Sequence, residues 1–184
     1  MRVVLIEKDK VGGTCLHRGC IPTKALLHAA EVADHARDAG SVGVRTTFDG
    51  VDMPAVNKYK DKVVERLYKG LTGLIKSRKI EVVEGEGRLV SPTSVKVGDT
   101  TYEGRHVILA TGSESRLIPG IDVDHERVIT SEDALTIDRV PASVIVLGGG
   151  VIGVEFASVW KSFGADVTIV EMLPHLLPPE DEAS

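Results

Sequence analysis

Cys15 and Cys20 are the chain's two cysteines, five positions apart in Gly12-Gly13-Thr14-Cys15-Leu16-His17-Arg18-Gly19-Cys20-Ile21-Pro22-Thr23-Lys24. A pair at that spacing can close a small disulfide ring in a loop entering a helix. The helix N-terminus and the nearby Arg18 and Lys24 are expected to favour the thiolate. A lowered thiol pKa would help both thiol exchange and electron donation. Taken alone, the spacing fits three chemistries: a redox-active dithiol, two inert free thiols, or a metal site that includes His17. Zinc sites generally use closer pairs, and no second Cys/His pair stands here to complete four ligands. The sequence therefore predicts no metal centre.

A second run also carries chemistry. Gly148-x-Gly150-x-x-Gly153 follows the apolar run Val144 to Leu147 and opens a helical pattern. This is the setting a dinucleotide fingerprint needs. The first glycine makes a tight turn, the second lets a pyrophosphate approach the backbone, and the third lets helix and strand pack closely. Glu171 comes 23 residues after Gly148, at the end of the next strand-like run. There it can accept hydrogen bonds from both ribose hydroxyls and would repel a 2′-phosphate, which predicts NAD rather than NADP.

The run Arg2 to Glu7 resembles Asp166 to Glu171, so Glu7 is expected to serve a second nucleotide. An equivalent glycine loop, set at the same distance before Glu7, falls ahead of Met1. The chain is accordingly expected to be truncated at its start. Lys24 lies one helical turn beyond Cys20, and Glu155 sits near the start of the helix after the glycine loop; the two are expected to pair between the units. Thr111-Gly112, after a strand-like run ending at Ala110, reads either as a simple turn or as backbone placed close to a bound cofactor. His17, His28, His35, His106, His125 and His175 are expected at the surface or in loops.

These residues need elements to position them. Val3 to Ile6 reads as a buried parallel strand. Helical spacing marks Ile21 to Ala39 and about Pro54 to Arg78. Short strand-like pieces follow at Ile80 to Val90, Ser94 to Val97, Thr101 to Glu103 and His106 to Ala110, punctuated by glycine and proline. They predict a β-meander over 80–110. A polar connection runs to about Pro141. Then come a strand over Val144 to Leu147, a helix over Val151 to Phe163 and a strand over Val167 to Val170.

The 184 residues are 42% hydrophobic and 27% charged, as in ordinary globular proteins, and the formal charge is 22 − 27 = −5. No basic field favours nucleic acid, and no apolar run has the length of a membrane span. Val3 to Ile6 is too short for a signal-peptide core. A cytoplasmic setting is expected. There a close cysteine pair is catalytic or metal-binding more often than structural.

Three motifs resemble, in order, those of the flavin-dependent pyridine nucleotide–disulfide oxidoreductases: Gly12 to Leu27 around the cysteines, Val107-Ile108-Leu109-Ala110-Thr111-Gly112-Ser113, and Gly148 to Glu155. The dihydrolipoamide dehydrogenase branch is the most similar, through Cys20 to Leu27 and Val154 to Trp160. The resemblance spans nearly the whole chain. It implies an α/β fold with two Rossmann-like units of the three-layer ββα type, both incomplete. Residues 1–140 would be a partial FAD-binding unit carrying the dithiol and the meander, and 141–184 the start of an NAD-binding unit.

It further implies that Cys15 is the interchange thiol, that Cys20 lies against the flavin, and that Lys24 sits near the flavin's reactive nitrogen. FAD would be held by Glu7, Gly13, Thr14, Gly87, Thr111 and Gly112. NAD would be held by Gly148, Gly150, Gly153 and Glu171. The implied partners are lipoyl groups of 2-oxo acid dehydrogenase complexes or of the glycine cleavage system, and a second copy in a homodimer. The family's first glycine loop, and a C-terminal interface domain that supplies a His–Glu acid/base pair from the partner subunit, are not in these 184 residues. Little activity is therefore expected from them alone. Reduction of another disulfide or of mercuric ion, or a non-catalytic remnant, are the alternatives. His17 stands where the family more often has Asn.

Overall fold

The computed structural model describes residues 2–177; Met1 and residues 178–184, the end of the expected second unit, lie outside them. The elements run β1 (Val4–Glu7), α1 (Gly13–Arg18), α2 (Cys20–Asp38), α3 (Met53–Ser77), β2 (Glu81–Glu84), β3 (Gly87–Ser91), β4 (Ser94–Val97), β5 (Thr100–Glu103), α4 (Ser131–Ala134), β6 (Ser143–Leu147), α5 (Val151–Phe163) and β7 (Asp166–Val170). The fold is α/β, and three small sheets frame it. β1 pairs with β2 in parallel, β3-β4-β5 form an antiparallel meander, and β6 pairs with β7 in parallel.

The helices begin where local chemistry starts them. Asp52 caps α3 by accepting the Ala55 N–H at 3.1 Å, and Pro54 occupies the first turn, where its missing N–H costs nothing. α5 ends at Gly164, in the left-handed region at φ 105, where its N–H bonds back to Trp160 and Lys161 carbonyls. β6, α5 and β7 fall almost residue for residue on the runs expected from sequence.

One core joins the two expected units. Leu26 and Ala30 of α2 and Met53 of α3 meet Phe156, Val159, Trp160 and Phe163 of α5, with Ala134 and Leu135 closing the side. Leu26 and Val159 are fully buried and Trp160 nearly so. Val144 and Val167, on the inner face of the β6–β7 sheet, pack against this cluster.

Three expectations about strands are corrected. Ile80 to Val90 is not one meander strand: it breaks at Gly85, with φ 144, so that β2 joins β1 while β3 opens the meander. His106 to Ala110 is not a strand. It pairs with no strand among the described residues, and Ile108 and Leu109 lie largely in solvent. A β-prone run becomes a strand only beside a partner that takes its hydrogen bonds. Finally, β1 is not the buried strand expected, since Val4 to Glu7 are all only half-buried, and the second parallel pair has an open face. α5 covers one face of β6–β7, while Ile145, Leu147 and Val170 on the other are 69%, 48% and 52% exposed.

Leu26→Ala removes a fully buried side chain from the shared core and is expected to cost about 2–5 kcal/mol. Denaturant unfolding followed by the fluorescence of Trp160, the chain's one tryptophan, measures it. A loss below about 1 kcal/mol would mean that α2 does not depend on this core.

Candidate functional site

The dithiol does not lie in a loop, as the sequence suggested, but on two consecutive helices. Cys15 is the third residue of the six-residue α1 and Cys20 is the first of α2, with Gly19 between them at φ −142, ψ −114. Both cysteines are exposed free thiols. Behind them Leu16, Pro22, Thr23, Ala25 and Leu26 turn inward. Thr23 Oγ1 donates to the Gly19 carbonyl at 2.7 Å, tightening the junction.

The thiol chemistry also departs from expectation. The Cys15 thiol is pushed up from its usual value, first by its hydrogen bond to Cys20, then by desolvation and by the neighbouring charge. Lys24 opposes this only weakly. The cations meant to favour a thiolate are engaged elsewhere: Arg18 pairs with Asp9 at 2.5 Å and Lys24 pairs with Glu155. A short helix ending in its own unsatisfied carbonyls adds little dipole at Cys15.

The Lys24–Glu155 pair crosses from the dithiol helix to the helix that follows the glycine loop. Glu155 is mostly shielded and Lys24 is more open. The same helices meet again further along, where Ser162 Oγ donates to Asp34 at 2.6 Å and Arg37 donates to the Ser162 carbonyl.

The glycine loop divides its work as its spacing requires. Gly148 stands at φ 108, a turn that side chains resist. Nothing lies within 4 Å of a Cβ placed on Gly150, so the backbone there is open to a ligand. A Cβ on Gly153 would collide with the Gly148 carbonyl oxygen, so only glycine lets α5 pack this close. α5 starts at Val151 and aims its free amides into the same space. Glu171 accepts the Gly149 N–H at 2.6 Å and the Leu173 N–H at 2.8 Å. Those bonds, the Leu173 one first, hold its carboxyl below the usual range.

At the other strand end Glu7 accepts the Asp9 N–H at 2.9 Å, two residues on, as Glu171 does from Leu173. Thr14 and Gly112 are brought together: Thr14 Oγ1 accepts the Ser113 N–H at 3.4 Å and would lie 3.2 Å from a Cβ on Gly112, which has φ 85. Thr111 adjoins this contact. Gly13, at φ 66, faces open space. Gly87 is different. A Cβ there would press on Ile6 of β1 and Val95 of β4 at 3.1 Å, so close packing alone favours glycine at this position.

With this geometry in view, comparison with known proteins decides the family. The profile described as pyridine nucleotide-disulphide oxidoreductase matches residues 1–184. The chain belongs to the pyridine nucleotide-disulphide oxidoreductase family. It is 42% identical to dihydrolipoyl dehydrogenase of Bacillus subtilis (strain 168), over 98% of this chain and 41% of the relative. It is 46% identical to that of Chlamydia pneumoniae, over 96% of this chain and 39% of the relative. Among solved structures, LpdA from Mycobacterium tuberculosis aligns with TM-score 0.86 at 26% identity, over 98% of this chain and 41% of that one. The HOCl-induced flavoprotein disulfide reductase RclA from Escherichia coli aligns with TM-score 0.79 at 32% identity, over 99% and 39%. The chain thus spans about two-fifths of the length of these relatives.

One histidine departs from its expected place. His17 is not a surface histidine. It is half-buried, with Nε2 3.0 Å from the Val11 carbonyl and its ring edge-on to Tyr68, centroids 5.2 Å apart at 70°. The signal was present: His17 lies between the two cysteines, and Tyr68 sits on the inward-facing rhythm of α3. No helix among the described residues is long and apolar enough to cross a membrane. No cluster of three metal-ligating side chains forms among them.

Because Cys20 raises the Cys15 thiol, Cys20→Ala is expected to move Cys15 ionisation to lower pH. The pH dependence of iodoacetamide alkylation in the reduced chain measures this, and a midpoint that stays or rises would contradict it. The sign for stability follows. A raised thiol contributes fully below its usual 9.0, and that contribution is lost as pH climbs through the folded value.

Proposed function

We propose that this chain carries the dithiol and the dinucleotide loop of a dihydrolipoamide dehydrogenase. It would pass the reducing equivalents of a dihydrolipoyl group, through Cys15 and Cys20 and then FAD, to NAD+. The observation that carries the reading is the Lys24–Glu155 pair, which binds the helix starting at Cys20 to the helix starting at the glycine loop. Redox thiols and a dinucleotide fingerprint would thereby meet at one helix–helix seam. The relatives named dihydrolipoyl dehydrogenase, at 42% and 46% identity, support the substrate class.

The thiol step balances on this chain's own atoms. With Cys15 and Cys20 as a disulfide, a dihydrolipoyl thiolate attacks Cys15 Sγ. The Cys15–Cys20 bond breaks and Cys20 leaves as thiolate. The second dihydrolipoyl thiolate then displaces Cys15, closing the lipoyl disulfide and releasing the dithiol. The raised Cys15 thiol favours the protonated form, so exchange starting from the dithiol is helped by a base.

The residues fit both cofactors. Gly148, Gly150 and Gly153 leave room for a pyrophosphate at the start of α5, with Glu171 on the ribose side. Gly13, Thr14, Thr111 and Gly112 converge where a flavin's phosphates and ring would lie, with Glu7 on its ribose side. Gly87 would lie on the adenine side. When bound, FAD and NAD supply the two-electron carriage that cysteines cannot. Lys24 would bring positive charge to the flavin, steadied by Glu155. Lipoyl-bearing complexes and a second copy of the whole protein are the proposed partners.

Two measurements test this. Titration of the purified chain is expected to show NADH binding at least about tenfold tighter than NADPH, a gap of about 1.4 kcal/mol. Glu171→Ala should narrow that gap, and equal affinities in the unsubstituted chain would contradict the NAD assignment. These 184 residues alone are expected to retain FAD poorly and to give little lipoamide-dependent NAD+ reduction. A stoichiometric flavin band with turnover would overturn that expectation.

A further inference from the structure

We infer that His17 is the positioning residue of the dithiol: anchored to the Val11 carbonyl and to Tyr68, it holds helix α1 so that Cys15 faces Cys20. The inference rests on the reading of these cysteines as a redox pair.

α1 has six residues, too few for a helix to persist by itself. Its N-terminal flank, Gly12, offers no side chain to cap it. Something outside must hold it. Leu16 is buried and His17 half-buried, while Cys15 is exposed. At 3.6 residues per turn, His17 points about 200° around the helix from Cys15. The ring therefore grips the back of α1 while the thiol faces forward.

The grip has two parts. A carbonyl only accepts, so Nε2–H donates to Val11 O, and this donor persists whether the imidazole is neutral or protonated. The ring also meets the edge of Tyr68 on α3, a 25-residue helix anchored by buried Met53, Lys60 and Ile75. The remaining polar ties of α1 are the long Thr14–Ser113 contact at 3.4 Å and Arg18 to Asp9, with about half of each of the latter side chains in solvent. Exposed pairs of this kind contribute little.

Two thiols held in place oxidise to an intramolecular disulfide at a high effective concentration. Glutathione disulfide tests this directly. Cys15 and Cys20 each lose one electron and one proton to form the Sγ–Sγ bond, and one glutathione disulfide becomes two glutathione thiols. In the full 184-residue chain, equilibrated in a glutathione buffer and trapped by alkylation, His17→Ala is expected to lower the disulfide-to-dithiol ratio severalfold. The Cys15 alkylation midpoint should also move down, because the contact with Cys20 is loosened. Tyr68→Ala should act in the same direction. Tyr68→Phe, which keeps a ring, and His17→Asn, which keeps a donor, should recover most of the ratio, and Arg18→Ala should leave it unchanged.

A general loss of stability would not reproduce that ordering. If His17→Ala fails to fold, Tyr68→Ala against Tyr68→Phe carries the test. A wild-type disulfide whose ratio is unmoved by His17→Ala and Tyr68→Ala overturns the inference alone. A wild-type chain that forms no intramolecular disulfide overturns the redox reading together with it.

Discussion

The packing of α2 on α5 is the contact on which the rest depends. One helix begins at Cys20 and the other at the glycine loop, so wherever these helices meet, the thiols and the dinucleotide loop are set relative to each other. Burial does the holding. Leu26, Ala30, Val159 and Trp160 leave water together, and each large side chain buried is worth about 1.5–3 kcal/mol. The ionic contact is smaller by comparison. Lys24 is more than half exposed, and pairs of that kind contribute about 0–1 kcal/mol. Its value is directional. Lys24–Glu155 fixes the near end of the seam, and Asp34, Arg37 and Ser162 fix the far end. The apolar surface sets the distance between the helices, and the polar ties oppose their rotation.

Charge around the thiols is balanced rather than concentrated. Arg18 and Lys24 each face a carboxylate, so neither lends its full field to the dithiol. The two sulfurs act chiefly on one another, and their hydrogen bond keeps a proton on Cys15. A dithiol of this kind is quiet until a base or an electron acceptor arrives, because the thiolate is the reactive species. Such restraint suits a pair that lies in open solvent.

The parts legible in the sequence were those governed by local period and punctuation. β6, the glycine loop, α5 and β7 could be read because strand, turn and helix each carry their own pattern over a few residues. α3 was legible through Pro54 and its apolar rhythm. The failures were all non-local. Whether His106 to Ala110 is a strand depends on a neighbour that those residues do not specify. Gly85 marks a break, but which sheet receives each half is decided by β1, some 80 residues earlier. The cysteines were legible as a pair but not as residues of two helices, because α1 is held by Tyr68, more than 50 residues away. The low thiol pKa failed for a related reason: it counted cations near in sequence and could not see the hydrogen bond between the two sulfurs, which raises the Cys15 thiol more than Lys24 lowers it.

The two strand-end acids show how a local sequence pattern can fix a carboxylate through the backbone alone. Glu7 and Glu171 each follow a parallel strand, and each accepts the N–H of the residue two positions on. The same short sequence pattern has produced the same small ring twice. At Glu171 the Gly149 N–H joins it, so both oxygens are held by backbone and the carboxyl is held below its usual range. A carboxylate fixed in this way cannot swing aside. On the reading proposed above, ribose hydroxyls would donate to its remaining lone pairs, whereas a 2′-phosphate would bring negative charge against negative charge. Discrimination between the two nucleotides would then come from two backbone hydrogen bonds that make the acid immobile, as much as from the acid itself.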